Sequence, residues 1–128
     1  MRLLLDTHLL LWAAGAPDKL SADAVALLSD RRSQLLFSAA SLWEIAIKSG
    51  LGRDDFQIDL RRLRRGLIGA GYTEVPITAE HAEALLTLPP LHKDPFDRIL
   101  VAQSMVESLI LLTVDEMVAR YPGSVRRV

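Results

Sequence analysis

The chain has no cysteine among its 128 residues, and this absence removes several kinds of chemistry together. Disulfide bonds, thiolate metal ligands and cysteine nucleophiles are all excluded, and a chain without cysteine fits a reducing cytoplasm. The sequence also lacks an apolar run approaching the roughly 20 residues that span a bilayer, so we predict a cytoplasmic protein with no membrane segment. A Gly-rich phosphate loop and a Ser-His-Asp arrangement are absent too, which leaves P-loop and triad chemistry without support.

A strong charge of one sign is also missing, because 15 basic and 16 acidic residues give a formal net charge of −1. This balance argues against a protein that coats nucleic acid by electrostatics alone, so any nucleic-acid contact has to be local. Half of the residues are hydrophobic, which excludes intrinsic disorder. The length and the absence of a linker or an internal repeat predict one domain over residues 1–128.

Short apolar runs alternate with amphipathic segments along the chain, which predicts an α/β fold. Strands are predicted over residues 3–5, 35–38, 72–77 and 109–113, with an edge strand near 125–128. Helices are predicted over residues 7–14, 41–48, 59–68 and 115–120. Further helices are predicted to begin after N-caps at Ser21, Thr78 and Asp94. This alternation predicts a parallel sheet of four to five strands with helices on both faces. Ligands of such sheets bind outside the carboxyl ends of the strands.

Four acidic residues stand where these strands end or where helices begin: Asp6, Glu44, Asp97 and Asp115. Each of the last three also has a structural interpretation. Glu44 follows Ser41 at the spacing of a capping box, Asp97 lies in a first helical turn, and Asp115 suits an N-cap. Taken singly, these three acids are explained by helix capping and by the helix dipole.

Asp6 is harder to explain by structure alone, since it directly continues a buried strand. Burying a carboxylate is costly unless it is paired or bound to a metal. If the four acids meet at one edge of the sheet, the cluster of like charges either holds protons or recruits a cation. Oxygen ligands favour Mg²⁺ or Mn²⁺, and such ions activate water for phosphodiester hydrolysis.

Four segments together resemble the PIN-domain ribonucleases, and more closely the VapC-type toxins of type II toxin–antitoxin pairs. They are 6–12 (DTHLLLW), 41–48 (SLWEIAIK), 92–98 (HKDPFDR) and 112–115 (LTVD), in order over essentially the whole chain. The resemblance implies a PIN-like parallel sheet and a Mg²⁺-dependent endoribonuclease that cleaves RNA. It also implies a homodimer and a cognate VapB-type antitoxin, whose C-terminal segment blocks the site.

The resemblance also implies the roles of individual residues. The catalytic and metal-binding acids would be Asp6, Glu44, Asp97 and Asp115, with the hydroxyl of Thr113 beside them at the substrate. Asp94 ranks fifth, because an N-cap role accounts for it. We predict that Lys48 and Arg98 bind substrate phosphate, since each lies within one helical turn of a predicted catalytic acid. A salt bridge from Arg98 to a neighbouring acid is an equally simple alternative.

Other polar and aromatic residues are given structural roles. His8 is predicted to pack locally at a helix start, His92 to lie in a loop or approach phosphate, and His81 to be a surface residue. Trp12 and Trp43 are predicted to lie in the core or at a protein interface.

The arginines of residues 61–65 fit an RNA contact, a solvated helix face or a surface that receives an acidic partner. Two other functions remain open at this point. One is a phosphatase or phosphoacceptor domain with Asp6 as the nucleophile, although His8 stands where the dehalogenase-type pattern has a second Asp. The other is a non-catalytic protein-binding module, in which the acids are only helix caps.

Overall fold

The computed structural model describes residues 1–51 and 58–128, and five strands in this part of the chain form one sheet. The strands are β1 (Arg2–Leu5), β2 (Gln34–Ser38), β3 (Thr73–Val75), β4 (Ile110–Thr113) and β5 (Val125–Arg127). Their order is β3-β2-β1-β4-β5, and every neighbouring pair is parallel. The predicted parallel sheet is therefore confirmed, including its edge strand at the end of the chain.

Within the same residues, six α-helices accompany the sheet. They are α1 (Thr7–Gly15), α2 (Ala22–Ser29), α3 (Ala39–Gly50), α4 (Leu60–Gly69), α5 (Ala79–Ala84) and α6 (Pro95–Val106). Single 3-10 turns occur at Pro17–Lys19, Leu85–Thr87 and Val118–Arg120, so the helix predicted over 115–120 is only one such turn. None of the helices in the described ranges has the length and apolar character to cross a bilayer.

The consecutive leucines of β1 serve two apolar cores, one on each face of the sheet. Leu4 packs into the core beneath α6, whereas Leu3 and Leu5 pack into the core beneath α1 and α2. Successive side chains of a strand point to opposite faces, so one short strand contributes to both. Each of these leucines is at most 1% exposed. Truncating one of them to alanine would lower the free energy of unfolding by about 2–5 kcal/mol.

The start of α3 differs from the sequence prediction. Strand β2 runs directly into α3, and the N-cap is Ser38, whose hydroxyl oxygen accepts a hydrogen bond from the Ala40 amide. Ser41 therefore lies inside the helix, where its hydroxyl oxygen accepts a hydrogen bond from the Thr7 hydroxyl at 2.9 Å. The capping-box interpretation of Glu44 is wrong, because that role requires Ser41 to precede the helix.

Candidate active site

Asp6 occupies the junction between β1 and α1, at the carboxyl end of the central strand. It is the N-cap of α1: its Oδ1 accepts a hydrogen bond from the Leu9 amide at 2.8 Å. Its Oδ2 accepts hydrogen bonds from the Thr113 hydroxyl at 2.6 Å and from the Val114 amide at 3.2 Å. Burial raises the pKa of Asp6, and these hydrogen bonds offset only part of that rise. The pairing of β1 with β4 thus brings Thr113 to Asp6.

Glu44 lies on α3 and is only 4% exposed. Its Oε2 accepts a hydrogen bond from the Lys48 ammonium at 2.7 Å, one turn further along the helix. Its Oε1 is buried and has no hydrogen-bond partner among the described residues. A buried polar atom without a partner costs about 1–3 kcal/mol, so this oxygen indicates a place for a ligand.

Asp97 lies in the first turn of α6, which Asp94 caps by accepting hydrogen bonds from the amides of Phe96 and Asp97. The predicted cap at Asp94 and the first helical position of Pro95 are thus confirmed. Burial, followed by the charge of Asp94, raises the pKa of Asp97 to about 7. Glu44 and Asp6 contribute to this rise in pKa, while His92 opposes it. Asp97 therefore lies among other carboxylates, whose negative charges disfavour its ionised form.

Asp115 follows β4 and faces His92. Its Oδ1 accepts hydrogen bonds from the Met117 and Val118 amides, so it also caps the short turn after the strand. Burial raises the pKa of Asp115, but the hydrogen bonds from these two amides and from His92 outweigh burial and lower it overall. His92 Nε2 lies 3.2 Å from Asp97 Oδ2 and 3.4 Å from Asp115 Oδ2. One side-chain atom from each of these three residues lies within 4.8 Å of the other two, a grouping that could hold a metal ion.

One pocket of about 150 Å³ gathers these side chains at the carboxyl edge of the sheet. Its lining consists of Asp6, Thr7, His8, Glu44, Lys48, His92, Asp94, Asp97 and Asp115. All four predicted acids are therefore brought together, along with Asp94 and Lys48. Thr113 supports Asp6 from behind this lining.

Arg98 is not among the residues that line the pocket. Its guanidinium donates hydrogen bonds to the Pro89 carbonyl and to the Tyr121 hydroxyl, each at 3.0 Å. It also lies over the Tyr121 ring, 5.9 Å from the centroid. This placement does not support the predicted phosphate contact of Arg98, and no salt bridge joins it to an acid in the described residues.

The family model described as PIN domain matches residues 3–124 of the chain. The chain belongs to the PIN-domain family. The predicted family is thereby confirmed, together with its fold. The comparison with curated proteins found no match.

Solved structures share this PIN fold at low sequence identity. VapBC2 from Rickettsia felis bound to a promoter DNA fragment is 14% identical, with a TM-score of 0.72 over 99% of this chain and 98% of that chain. A toxin–antitoxin complex from Klebsiella pneumoniae is 21% identical, with a TM-score of 0.65 over 96% and 94% of the two chains. DNA-bound VapBC from Salmonella typhimurium is 13% identical, with a TM-score of 0.67 over 99% and 98%. Likenesses at these identities show the fold.

The sequence places His92 in a loop or near phosphate and does not predict its contacts with Asp97 and Asp115. The available signal was its place five residues before Asp97 in the segment HKDPFDR, which a loop role also explained. His81 was predicted at the surface, and this is wrong: it is 1% exposed. Its Nδ1 accepts a hydrogen bond from the Thr78 amide. Helix α5, which carries His81, packs against α6, and this contact buries the ring.

The remaining predicted residues lie outside the centre of the pocket. His8 is exposed at its rim, with its ring 6.3 Å from that of Trp12. Trp12 packs against an apolar core, as predicted. Trp43 lies outside the core, since it is 57% exposed with its ring edge-on to Phe96, and its predicted alternative, a protein interface, stays a prediction. The arginines at 61, 62, 64 and 65 are exposed on α4, and Arg64 is paired with Glu74 at 2.7 Å.

Proposed function

We propose that this PIN-domain protein is a divalent-metal-dependent endoribonuclease, the VapC-type toxin of a toxin–antitoxin pair. The observation that carries the proposal is the convergence of four acids in one pocket, where Glu44 Oε1 lacks a partner and the pKa of Asp97 is raised to about 7. A cluster of buried acceptors with few donors is unfavourable by itself and becomes favourable around a cation.

The residues of the pocket fit a hard cation, because the unpartnered atom and its neighbours are carboxylate oxygens. We propose that Mg²⁺ or Mn²⁺ is held by Asp6, Glu44, Asp97 and Asp115. When bound, the ion supplies an activated water and positive charge beside the phosphodiester.

The chain's own residues hold this acceptor set in place. The Thr113 hydroxyl and two backbone amides fix the Asp6 carboxylate between β1 and β4. Lys48 holds Glu44 from the rim and keeps an ammonium group at the mouth of the pocket, where it would attract a substrate phosphate. Phosphate binding by Lys48 therefore belongs to this proposal, whereas the predicted substrate contact of Thr113 does not, because its fully buried hydroxyl is committed to Asp6.

A cognate VapB-type antitoxin and a homodimer are also part of the proposal. The similar solved structures are VapBC or toxin–antitoxin complexes. A groove of about 620 Å³ between α1 and α4 is lined mainly by apolar side chains such as Leu63 and Leu67, with Arg62 beside them. An amphipathic antitoxin segment with acidic residues would fit it. The exposed Trp43 and Ile47, one turn apart on α3, offer an apolar surface to a second copy of the chain.

The two other functions have less support in the geometry. Both carboxylate oxygens of Asp6 accept hydrogen bonds and the residue is 3% exposed, whereas a phosphoacceptor needs an accessible oxygen. A binding module whose acids are only caps does not explain Glu44, which caps nothing and whose Oε1 has no partner in the described part of the chain.

RNA cleavage by the purified chain, assayed in chelator and in Mg²⁺ or Mn²⁺, tests the proposal. Asp6→Asn is compared with Asp59→Asn, because both residues are N-caps and asparagine caps a helix as well as aspartate does. Asp6 also accepts hydrogen bonds from Thr113 and Val114, so circular dichroism first checks that both variants are folded. We expect metal-dependent cleavage that Asp6→Asn abolishes and Asp59→Asn preserves. We also expect Mg²⁺ to raise the melting temperature of the Asp59 variant only, since it alone keeps the full acid set. Cleavage that continues in chelator, or that survives Asp6→Asn, would contradict the proposal.

A further inference from the structure

His92 stands between two of the acids that we propose as metal ligands, and its ring nitrogens are not equivalent. We propose that His92 is a positioning residue: it donates a hydrogen bond through Nε2–H to the Asp115 carboxylate, beside Asp97, and does not itself bind the ion. This inference rests on the proposed function, because it assigns a role around the same metal site.

The tautomer of His92 follows from its Nδ1 atom. The backbone amide of Asp94 donates a hydrogen bond to His92 Nδ1 at 3.0 Å, so this nitrogen carries a lone pair. In a neutral imidazole the proton is then on Nε2. Nε2 forms a hydrogen bond with Asp115 Oδ2 at 3.4 Å, and Asp97 Oδ2 lies 3.2 Å from the same nitrogen. The Nε2–H is therefore donated to Asp115, with the Asp97 carboxyl group beside it.

This tautomer opposes ligation by His92. An imidazole nitrogen binds a metal through its lone pair, so ligation by Nε2 would move the proton to Nδ1. There it would meet the Asp94 N–H, and two donors would face each other at the N-terminus of α6. The carboxylates have no such conflict, because each oxygen can accept a hydrogen bond and still offer a lone pair to a cation.

The loop that carries His92 is itself fixed by Arg98 and Tyr121. The His92 amide donates to the Tyr121 hydroxyl at 2.9 Å, and Arg98 donates to the same hydroxyl and to the Pro89 carbonyl at 3.0 Å. Outer contacts of this kind orient metal ligands in other proteins and are worth about 10- to 100-fold in metal affinity. The histidine, both aspartates and the arginine of HKDPFDR thus act as one unit.

The ring nitrogens can be observed directly by ¹⁵N NMR of the unsubstituted chain, at a pH where the ring is neutral. The chain has three histidines, and the signal of His92 is assigned as the one missing from His92→Gln. We expect the Nε2–H tautomer both without metal and with saturating Mg²⁺. An Nδ1–H tautomer in either state would overturn the proposal. The metal-free spectrum decides the donor role even if the chain binds no Mg²⁺, an outcome that would instead defeat the proposed function.

Two variants of His92 distinguish a hydrogen-bond donor from a metal ligand. The amide nitrogen of glutamine reaches the position of Nε2, so His92→Gln keeps a hydrogen-bond donor for Asp115. Asparagine places an acceptor where Nδ1 stands, so His92→Asn keeps the Asp94 contact but does not reach Asp115. We expect Mg²⁺ affinity, measured by titration calorimetry, to stay within about 3-fold in His92→Gln and to fall about 10- to 100-fold in His92→Asn. Equal losses in both variants would indicate a nitrogen ligand and overturn the proposal.

Discussion

Helix α6 carries residues of two polar clusters that differ in kind. In the neutral cluster, the Ser38 hydroxyl donates to Gln103 Oε1 at 2.5 Å, and Gln103 Nε2 donates to the Pro76 carbonyl at 3.3 Å. His81 completes it from α5. In the acidic cluster, Glu44 and Asp97 line one pocket with Asp6 and Asp115. One helix, α6, therefore contributes to a cluster of matched groups and to a cluster of like charges.

The difference lies in what each cluster needs. Donors meet acceptors in the neutral cluster, so it stabilises the fold without a ligand. In this cluster His81 Nε2 has no hydrogen-bond partner among the described residues, and it lies 3.6 Å from a carboxylate oxygen of Glu107. The acidic cluster consists mainly of acceptors, and it leaves Glu44 Oε1 without a partner in the described residues and raises the pKa of Asp97. Repulsion of this kind lowers stability until a cation relieves it.

The largest expected effect comes from removing one charge of the acidic cluster with Asp97→Asn. The amide keeps the shape of the side chain, so the fold should remain. It is a poorer Mg²⁺ ligand than a carboxylate, so we expect RNA cleavage to fall about 100- to 1,000-fold. We also expect the metal-free melting temperature to rise, because one charge leaves a repulsive group. A folded variant that cleaves at the original rate with saturating substrate and metal would rule out Asp97 as a ligand.

The neutral cluster should respond in the opposite way. Gln103→Met keeps most of the side-chain volume but leaves the Ser38 hydroxyl and the Pro76 carbonyl without their partner. We expect the free energy of unfolding, from urea titration, to fall by about 2–6 kcal/mol, since each of the two unpartnered groups costs about 1–3 kcal/mol. The Mg²⁺-induced rise in melting temperature should persist. If that rise disappeared while stability was unchanged, the distinction between the clusters would fail.

The acidic cluster should also make metal-free stability depend on pH. The folded-state pKa of Asp97 is raised from 3.8 to about 7, so the folded chain binds this proton more tightly than the unfolded chain. The resulting stability is fully present below pH 3.8 and is lost as the pH rises through about 7. We expect melting temperatures in chelator to fall more steeply between pH 5 and 8 in the original chain than in Asp97→Asn. Parallel curves for the two proteins would contradict the raised pKa.

The sequence predicted the acids of the pocket better than the contacts that orient them. Asp6 and Asp115 could be placed at one edge because each follows an apolar strand, and parallel strands end at the same edge. Glu44 and Asp97 were candidates from their positions on predicted helices, and the resemblance added their catalytic roles. The orientation of His92 depends on Tyr121, which is 29 positions away, and no local pattern encodes that contact.

The errors have local causes that only the folded chain shows. The capping box at Ser41 was plausible in sequence, but β2 continues to Ser38 and leaves no turn before α3. His81 sits on a helix with polar neighbours, yet that face is covered by α6. Arg98 lies one position after Asp97, and its side chain turns to Tyr121 instead of the pocket. In each case a tertiary contact overrode a reasonable local pattern.

The smallest expected effect concerns the arginines of α4, which lie outside both clusters. Arg61, Arg62 and Arg65 are exposed, whereas Arg64 is paired with Glu74. If the first three neutralise RNA phosphates, replacing them together with alanine should weaken RNA binding and reduce the slope of log affinity against log salt by about 2, at about 0.7 per phosphate contact. Cleavage at saturating RNA should stay unchanged, because the acidic cluster is intact. Arg32→Ala, which removes an exposed arginine paired with Asp30, is the control. An unchanged slope would assign these arginines to a solvated face or to a protein partner, and would leave the acidic pocket as the proposed RNA contact.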